Sequence, residues 1–397
     1  MSNTHMKNVP ELRFPEFEGE WEEKKLGEIS EQSMYGIGAS ATNFDSKNIY
    51  IRITDIDEKS RNLNYKNLTT PDEINDKYKL KRNDILFART GASTGKSYIH
   101  KEEKDNYNYY FAGFLIKFEI NQLNSPMFIY QFTLTSKFNN WVKVMSVRSG
   151  QPGINSEEYA KLPLFLPSKL EQQKIGEFFS KLDRQIELEE QKLELLQQQK
   201  KGYMQKIFSQ ELRFKDENGN DYPEWEKKKL QQIIEVKDGT HESPKPTDNG
   251  YLLVTSKNLK NNKLDFSESY SISKEDYESI NKRSKVEKGD ILFGMIGTIG
   301  NPILLEDEGF AIKNVALLKT SCLQEKYYIL NFLKSIAIAK QFYKTNAGGT
   351  QKFISLGAIR DLKIDFPSLE ESTKIGILFN KLDELIKNQS IKIVLLR

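Results

Sequence analysis

The sequence predicts an α+β chain in which two pseudo-symmetric, mostly β domains are separated by long helices that form an antiparallel coiled coil. Three observations predict it. The first is an internal duplication: "ELRFPEFEGEWEEKKLGEI" from Glu11 is answered by "ELRFKDENGNDYPEWEKKKLQQI" from Glu211. "DILFARTGASTG" from Asp84 is likewise answered by "DILFGMIGTIG" from Asp290, and "LPSKLEQQKIGEFFSKLDRQI" from Leu166 by "FPSLEESTKIGILFNKLDELI" from Phe366. Ordered blocks about 200 residues apart identify a repeated unit. The second observation is a run of short β-like stretches punctuated by Gly, Asn and Asp in the first part of each copy. The third is a heptad pattern closing each copy.

The β-rich parts cover roughly residues 20–163 and 224–364, with stretches such as "NIYIRITDI", "YYFAGFLIKFEI", "GYLLVTSKNL" and "AIKNVALLKT". Each also holds a helical pattern, 125–144 and its match 324–344; the apolar stripe Phe128, Ile129, Phe132, Phe138 and Trp141 reads as core. Ser168 with Glu171, and Ser368 with Glu371, have capping-box spacing and predict the helix starts. The first helix then carries Ile175, Phe179, Leu182, Ile186, Glu189, Leu193, Leu196, Lys200, Tyr203 and Ile207 at heptad positions. The second carries Ile375, Phe379, Leu382, Ile386, Gln389, Ile393 and Leu396. Glu189 and Gln389 interrupt the seam at equivalent positions, as a solvated irregularity or as a register-setting contact. Connectivity makes the helices antiparallel if they are partners. The expected domains are 1–163 and 211–366, with spacer helices at 164–210 and 367–397. A first helix from Glu171 to Ser209 would be roughly 55–58 Å long at 1.5 Å per residue, more than the roughly 34 Å of one duplex turn. The second is expected to be short, because Arg397 corresponds to Gln197 and nothing matches 198–210.

Composition sets further bounds. The chain has 397 residues, 29% of them charged, with a net charge of +3, so basic groups can bind nucleic acid only if clustered. Cys322 is the single cysteine, which excludes an internal disulfide framework and fits a reducing compartment. His5, His100 and His241 are too scattered to suggest a metal cluster. No run has membrane-spanning length and the start lacks a signal-peptide core, so a cytoplasmic protein without membrane contact is expected.

Gly95-Lys96-Ser97 suggests a nucleotide-binding P-loop, but only Ala92, Ser93 and Thr94 separate it from Gly91, one residue short of the motif. The second copy has Asn301 and Pro302 in place of Lys96 and Ser97. The glycines therefore predict a tight turn with positive φ whose other residues are exchangeable, as suits a binding loop. No amino-methyltransferase or duplicated nuclease constellation is present in the sequence.

The "ELRF…EW…KLG" and "LPxxxEQQKIG…LD" blocks with two β-rich domains resemble the specificity subunit of Type I restriction-modification complexes, over essentially the whole chain. The resemblance implies that each β-rich domain is a target recognition domain reading half of a bipartite, asymmetric site on double-stranded DNA. It also implies a non-catalytic subunit whose helices dock two adenine-N6 methyltransferase subunits and, through them, restriction/translocase subunits. The chain itself would need no cofactor; S-adenosylmethionine, ATP and Mg would belong to the partners.

Residues suited to base or phosphate contacts at strand ends and Gly-containing loops are Tyr35, Arg52, Thr54, Arg89, Thr90, Lys96, Arg148 and Gln151 in the first domain. In the second they are His241, Ser243, Lys245, Ser256, Lys257, Asn258, Thr298, Lys313, Thr350, Gln351 and Lys352. The loops "SVRSGQPGI" and "NAGGTQKFI" occupy equivalent places before the helices. A coiled-coil scaffold whose β-rich modules bind protein or glycan is the other reading of the duplication.

Overall fold

The structure, a computed structural model, describes residues 8–101, 107–260, 262–297, 299–319, 323–345 and 353–397. The chain divides into two compact units, 1–185 and 186–397.

In chain order the first unit contains β1 (Glu22–Lys25), β2 (Ser30–Tyr35), β3 (Asn48–Ile51), β4 (Ile85–Ala88), β5 (Ser97–Ile99), β6 (Asn108–Phe111) and β7 (Leu115–Ile120). Helices α1 (Pro126–Phe132), α2 (Ser136–Met145) and α3 (Ser156–Ala160), strand β8 (Pro163–Leu166) and the start of α4 (Lys169–Phe208) follow. The main sheet is four-stranded and antiparallel in the order β2-β7-β4-β5; β3 pairs in parallel with β6, and β1 antiparallel with β8.

Alternation along β4 explains how this sheet is covered on both faces. Ile85 and Phe87 face a core with Phe128, Phe138, Tyr159 and Leu164, while Leu86 and Ala88 face another with Ile49, Ile51 and Phe111. The stripe assigned to core behaves as expected: Phe128, Ile129 and Phe138 are buried, with Phe132 and Trp141 packed against them. The single helix expected over 125–144 is instead two, because Thr133 donates its hydroxyl to Tyr130 O and Thr135 caps α2 by accepting from Phe138 N. The long β stretches are broken too. "NIYIRITDI" ends in a 3-10 turn at Ile53–Asp55, and "YYFAGFLIKFEI" is two strands joined by a turn.

The second unit repeats this plan. It contains β9 (Glu226–Lys229), β10 (Glu235–Asp238), β11 (Tyr251–Thr255), α5 (Lys274–Ser284), β12 (Ile291–Gly294), β13 (Gly300–Leu304), β14 (Ala311–Lys313) and β15 (Val315–Lys319). It continues through α6 (Leu323–Leu333), α7 (Ile336–Thr345), α8 (Leu356–Arg360), β16 (Lys363–Phe366) and α9 (Leu369–Leu396). The sheet order β10-β15-β12-β13, the parallel pair β11–β14 and the antiparallel pair β9–β16 match the first unit, and β11 in addition pairs antiparallel with Tyr270–Ile272. Gly36 and Gly239 occupy the same closing position. A Cβ there would lie 2.3 Å from Phe111 O in one copy and 2.1 Å from Ile312 O in the other, so only glycine lets the chain cross the parallel pair.

Within the second unit, α9 runs antiparallel to the second half of α4. Gln389 donates to the Glu189 carbonyl and to its Oε2 at 2.9 and 2.6 Å, and Lys200 reaches Asp383 at 2.6 Å. Phe208 stacks on Phe379 with ring centroids 5.6 Å apart. The Glu189–Gln389 layer is thus a register-setting contact, and it holds the Glu189 carboxyl below its usual range through the Gln389 bond first and Lys392 second. Ile375, Phe379, Leu382 and Ile393 are buried and Ile386, Leu193, Leu196, Lys200 and Tyr203 partly so, as the heptads predict. Ile186 and Leu396 are also partly buried, and Ile207 is buried. In the first unit Ile175 packs into the domain core and Leu182 is partly buried. Phe179 departs from the expected seam: it is 41% exposed and meets Phe178 edge-on. Its counterpart Phe379 is covered by Phe208, at the end of α4.

Candidate nucleic-acid interface

The turn that resembled a P-loop is a short 3-10 turn, Gly91–Ser93, with φ of +73° at Gly91 and +89° at Gly95. Gly297 and Gly300 take +72° and +90° in the other copy, so the glycines serve turn geometry in both. Lys96 points inward. Its ammonium is buried, donates to Ile56 O at 3.1 Å and pairs with Glu58 at 2.7 Å, holding that carboxyl below its usual range. This corrects the expectation that Lys96 is available for DNA: its charge closes the 53–58 turn.

The loop before α3 folds onto the β4 turn. Ile154 N donates to Arg89 O, Gly91 N to Pro152 O, and Thr90 bridges Gly153. Tyr35, at the end of β2, accepts from Ser156 N at 3.1 Å, and the Arg89 guanidinium lies 4.9 Å from the Tyr35 ring centroid. Tyr35, Arg89, Thr90, Arg148 and Gln151 therefore come together at one mouth of the domain. Gln151 is exposed there, whereas Arg148 is closed on Glu158, its Nη2 donating to both carboxylate oxygens at 2.6 and 2.5 Å. Arg52 and Thr54 stand apart from this group, on the 3-10 turn after β3. Arg52 is clamped on Asp55 at 2.9 and 2.8 Å and Thr54 is exposed.

In the second unit the matching turn carries Met295 and Ile296 where the first has Arg89 and Thr90, and Ile296 bridges Phe353 as Thr90 bridges Gly153. His241 lies between Asp238 (Nε2 to Oδ2, 2.9 Å) and Asn314 (Nδ1 to Oδ1, 2.8 Å), and Arg283 of α5 also pairs with Asp238. Lys313 reaches the Ser243 hydroxyl, and the Thr240–Lys313 bridge brings that loop alongside β14. Lys245 and Lys257 are exposed. Ser256 and Asn258 are corrections of the same kind as Lys96. Ser256 accepts from Met295 N and donates to Asn314 O, and Asn258 donates to Asp265 O and Ser269 Oγ, so both are buried turn fasteners. Thr298, Thr350, Gln351 and Lys352 lie outside the described residues.

Sequence reasoning missed Asp238, Asn314, Arg283 and Glu158. Asn314 has φ +54° between β14 and β15, and an Asn splitting two β-like runs was the available signal for it. The acidic partners gave none, because their cations are distant in sequence or ordinary in context. Among the described residues no group of acidic, His and Cys side chains could hold a metal ion, and no helix is long and apolar enough to cross a membrane.

The family model described as "Type I restriction modification DNA specificity domain" matches residues 18–198 and again 222–395. The chain is 23% identical over 327 residues to the Type I restriction enzyme MjaVIII specificity subunit of Methanocaldococcus jannaschii, covering 77% of this chain and 73% of that one. Its fold is similar to the S subunit of a Type I restriction-modification system from M. genitalium, with a TM-score of 0.62, 16% identity and coverage of 95% and 92%. A structure titled for complex assembly and conformational transition of the Type I system matches at 0.50, with 15% identity and coverage of 95% and 94%. None of these likenesses supports a protein- or glycan-binding scaffold. With both repeats matched, the chain belongs to the Type I restriction-modification DNA specificity family, and is a non-catalytic subunit of DNA recognition.

Proposed function

We propose that each β-rich domain reads one half of a bipartite, asymmetric site on double-stranded DNA, within the boundaries 1–163 and 211–366. The helices at 164–210 and 367–397 set the spacer and dock two adenine-N6 methyltransferase subunits, which bring restriction/translocase subunits. S-adenosylmethionine, ATP and Mg act in those partners, and the assembly works in the cytoplasm. The similarity in fold to a structure of Type I complex assembly supports the docking. The observation that carries the reading is one scaffold used twice with different side chains at the same mouth. Tyr35, Arg89 and Thr90 in one unit correspond to Asp238, Met295 and Ile296 in the other.

The test mixes the chain with a cognate methyltransferase subunit and S-adenosylmethionine, then maps methylated adenines across a genome. One asymmetric bipartite motif is expected, and none from the chain alone. Scattered methylation without a bipartite motif would refute the reading. Loss of DNA binding with rising salt should accompany the phosphate contacts.

A further inference from the structure

We infer that Arg89 reads a guanine in the half-site taken by the first domain, with Tyr35 as its positioning residue; this rests on the DNA-reading function proposed above. Arg89 is the first residue after β4, and its backbone is fixed on both sides. Its N–H donates to Phe114 O at 3.1 Å and its carbonyl accepts from Ile154 N at 2.9 Å. The guanidinium lies over Tyr35, whose own hydroxyl is tied to Ser156 N at the start of α3. Strand end, ring and helix start thus hold one arginine in one place at the mouth.

Arg89 also differs from six other arginines in what its fork does. Arginines 13, 52, 148, 213, 283 and 360 all close on a carboxylate or a carbonyl. Among the described residues Arg89 closes on neither, and it makes only the ring contact. Glu158, a nearby carboxylate in α3, is engaged by Arg148 and by Asn155 N. A cation–π clamp holds the plane of the guanidinium and leaves its N–H edge unpaired. A planar edge of paired donors matches the O6 and N7 acceptors that guanine shows in the major groove.

A phosphate could take the same fork, and the duplication decides between them. Backbone contacts seat a domain on any duplex, so a seating contact is expected at the same place in both copies of a duplicated scaffold. A base contact changes with the half-site. The counterpart of Arg89 is Met295, buried and without a polar donor, and the counterpart of Tyr35 is Asp238. The pair varies as a base reader does, and the second half-site lacks this means of reading guanine.

The experiment uses the full chain with its methyltransferase subunit and compares methylomes of the wild type, Arg89→Ala and Tyr35→Leu. Arg89→Ala should relax one G·C position in one half-site, with selectivity there falling roughly ten- to a hundredfold. The other half-site and the spacer should stay as they were, which also certifies that the variant is folded. Tyr35→Leu leaves the charge but removes the clamp, and should relax the same position less completely. If Arg89→Ala gives no methylation, Tyr35→Leu alone must show that single relaxed position. Three results overturn the assignment: an unchanged motif, relaxation in the other half-site, or evenly weakened binding to all sequences with a salt slope lower by about one. A wild-type complex that methylates no bipartite motif instead removes the DNA-reading function on which the inference stands.

Discussion

Arg213 and Glu371 stand 158 residues apart and form a forked ion pair, Nε to Oε1 at 3.1 Å and Nη2 to Oε2 at 2.7 Å. Glu371 is fully buried, and Trp225 Nε1 donates to the same carboxylate at 2.8 Å. Arg13 and Glu171 repeat the fork at 2.7 and 2.6 Å across the same separation of 158. The arginine of each "ELRF" therefore straps the segment that opens a unit to the first turn of the helix that closes it. Only the hydroxyl half of each expected capping box forms: Ser168 and Ser368 accept from Glu171 N and Glu371 N, while the Glu side chains go to the arginines.

Arg213→Met should lower stability by about 3–5 kcal/mol, because it leaves a buried carboxylate without its cation. The readout is the urea midpoint. The double variant Arg213→Met with Glu371→Met should recover most of the loss, since apolar replacement of a buried pair removes both charges together. A single variant with an unchanged midpoint would mean that the strap contributes no stability.

Lys334, between α6 and α7, is held at about 8 against an ordinary 10.5, first by burial and then by Lys200 nearby. Between those values the unfolded chain keeps a proton that the folded chain has shed. Stability from this group therefore rises with pH across that window and is lowest below it. Lys334→Met should stabilise the second unit at pH 7 by about 1–3 kcal/mol, and the advantage should fade as pH climbs from 8 to 10.5. Urea midpoints of variant and wild type at a series of pH values decide it. An advantage constant with pH would trace to packing and not to charge.

The extent to which the fold was legible depended on the range of each interaction. The repeats and heptads are local or strictly periodic, so the duplication and the equivalent heptad places of Glu189 and Gln389 could be read from sequence, whereas the sheet order and the contact between those two side chains could not. The Arg13–Glu171 strap could not, because nothing local pairs residues 158 apart. Lys96 was misread for a related reason. A lysine among glycines looks exposed, yet the turn bends it toward the carbonyls of Ile53 and Ile56. Arg89 and Arg148 looked alike as loop arginines; only the placement of Glu158 and Tyr35 separates an engaged guanidinium from an unengaged one.

Exchange of residues 20–163 for the first domain of another family member should change one half-site and leave the other intact. The basis of this expectation is that each unit has its own core. Methylome sequencing of the hybrid is the check. A hybrid that altered both half-sites would show that the two domains read DNA jointly.

The helix pair should act as a ruler for the spacer, and its contacts dictate how that must be tested. Glu189–Gln389 and Lys200–Asp383 tie α4 to α9 at two levels. A heptad added to one helix alone would break one tie or the other. Seven residues should therefore be inserted in both, between Glu190 and Leu196 in α4 and between Asp383 and Gln389 in α9. The apolar seam stays in register, and the pair lengthens by about 10 Å at 1.5 Å per residue. Duplex DNA rises about 3.4 Å per base pair, so the preferred spacer should grow by one to roughly three base pairs, with the lower figure applying if the helices are inclined to the DNA. Both half-site sequences should stay unchanged, because no reading loop is touched. An active variant that keeps its original spacer would mean that the helices dock partners without measuring DNA.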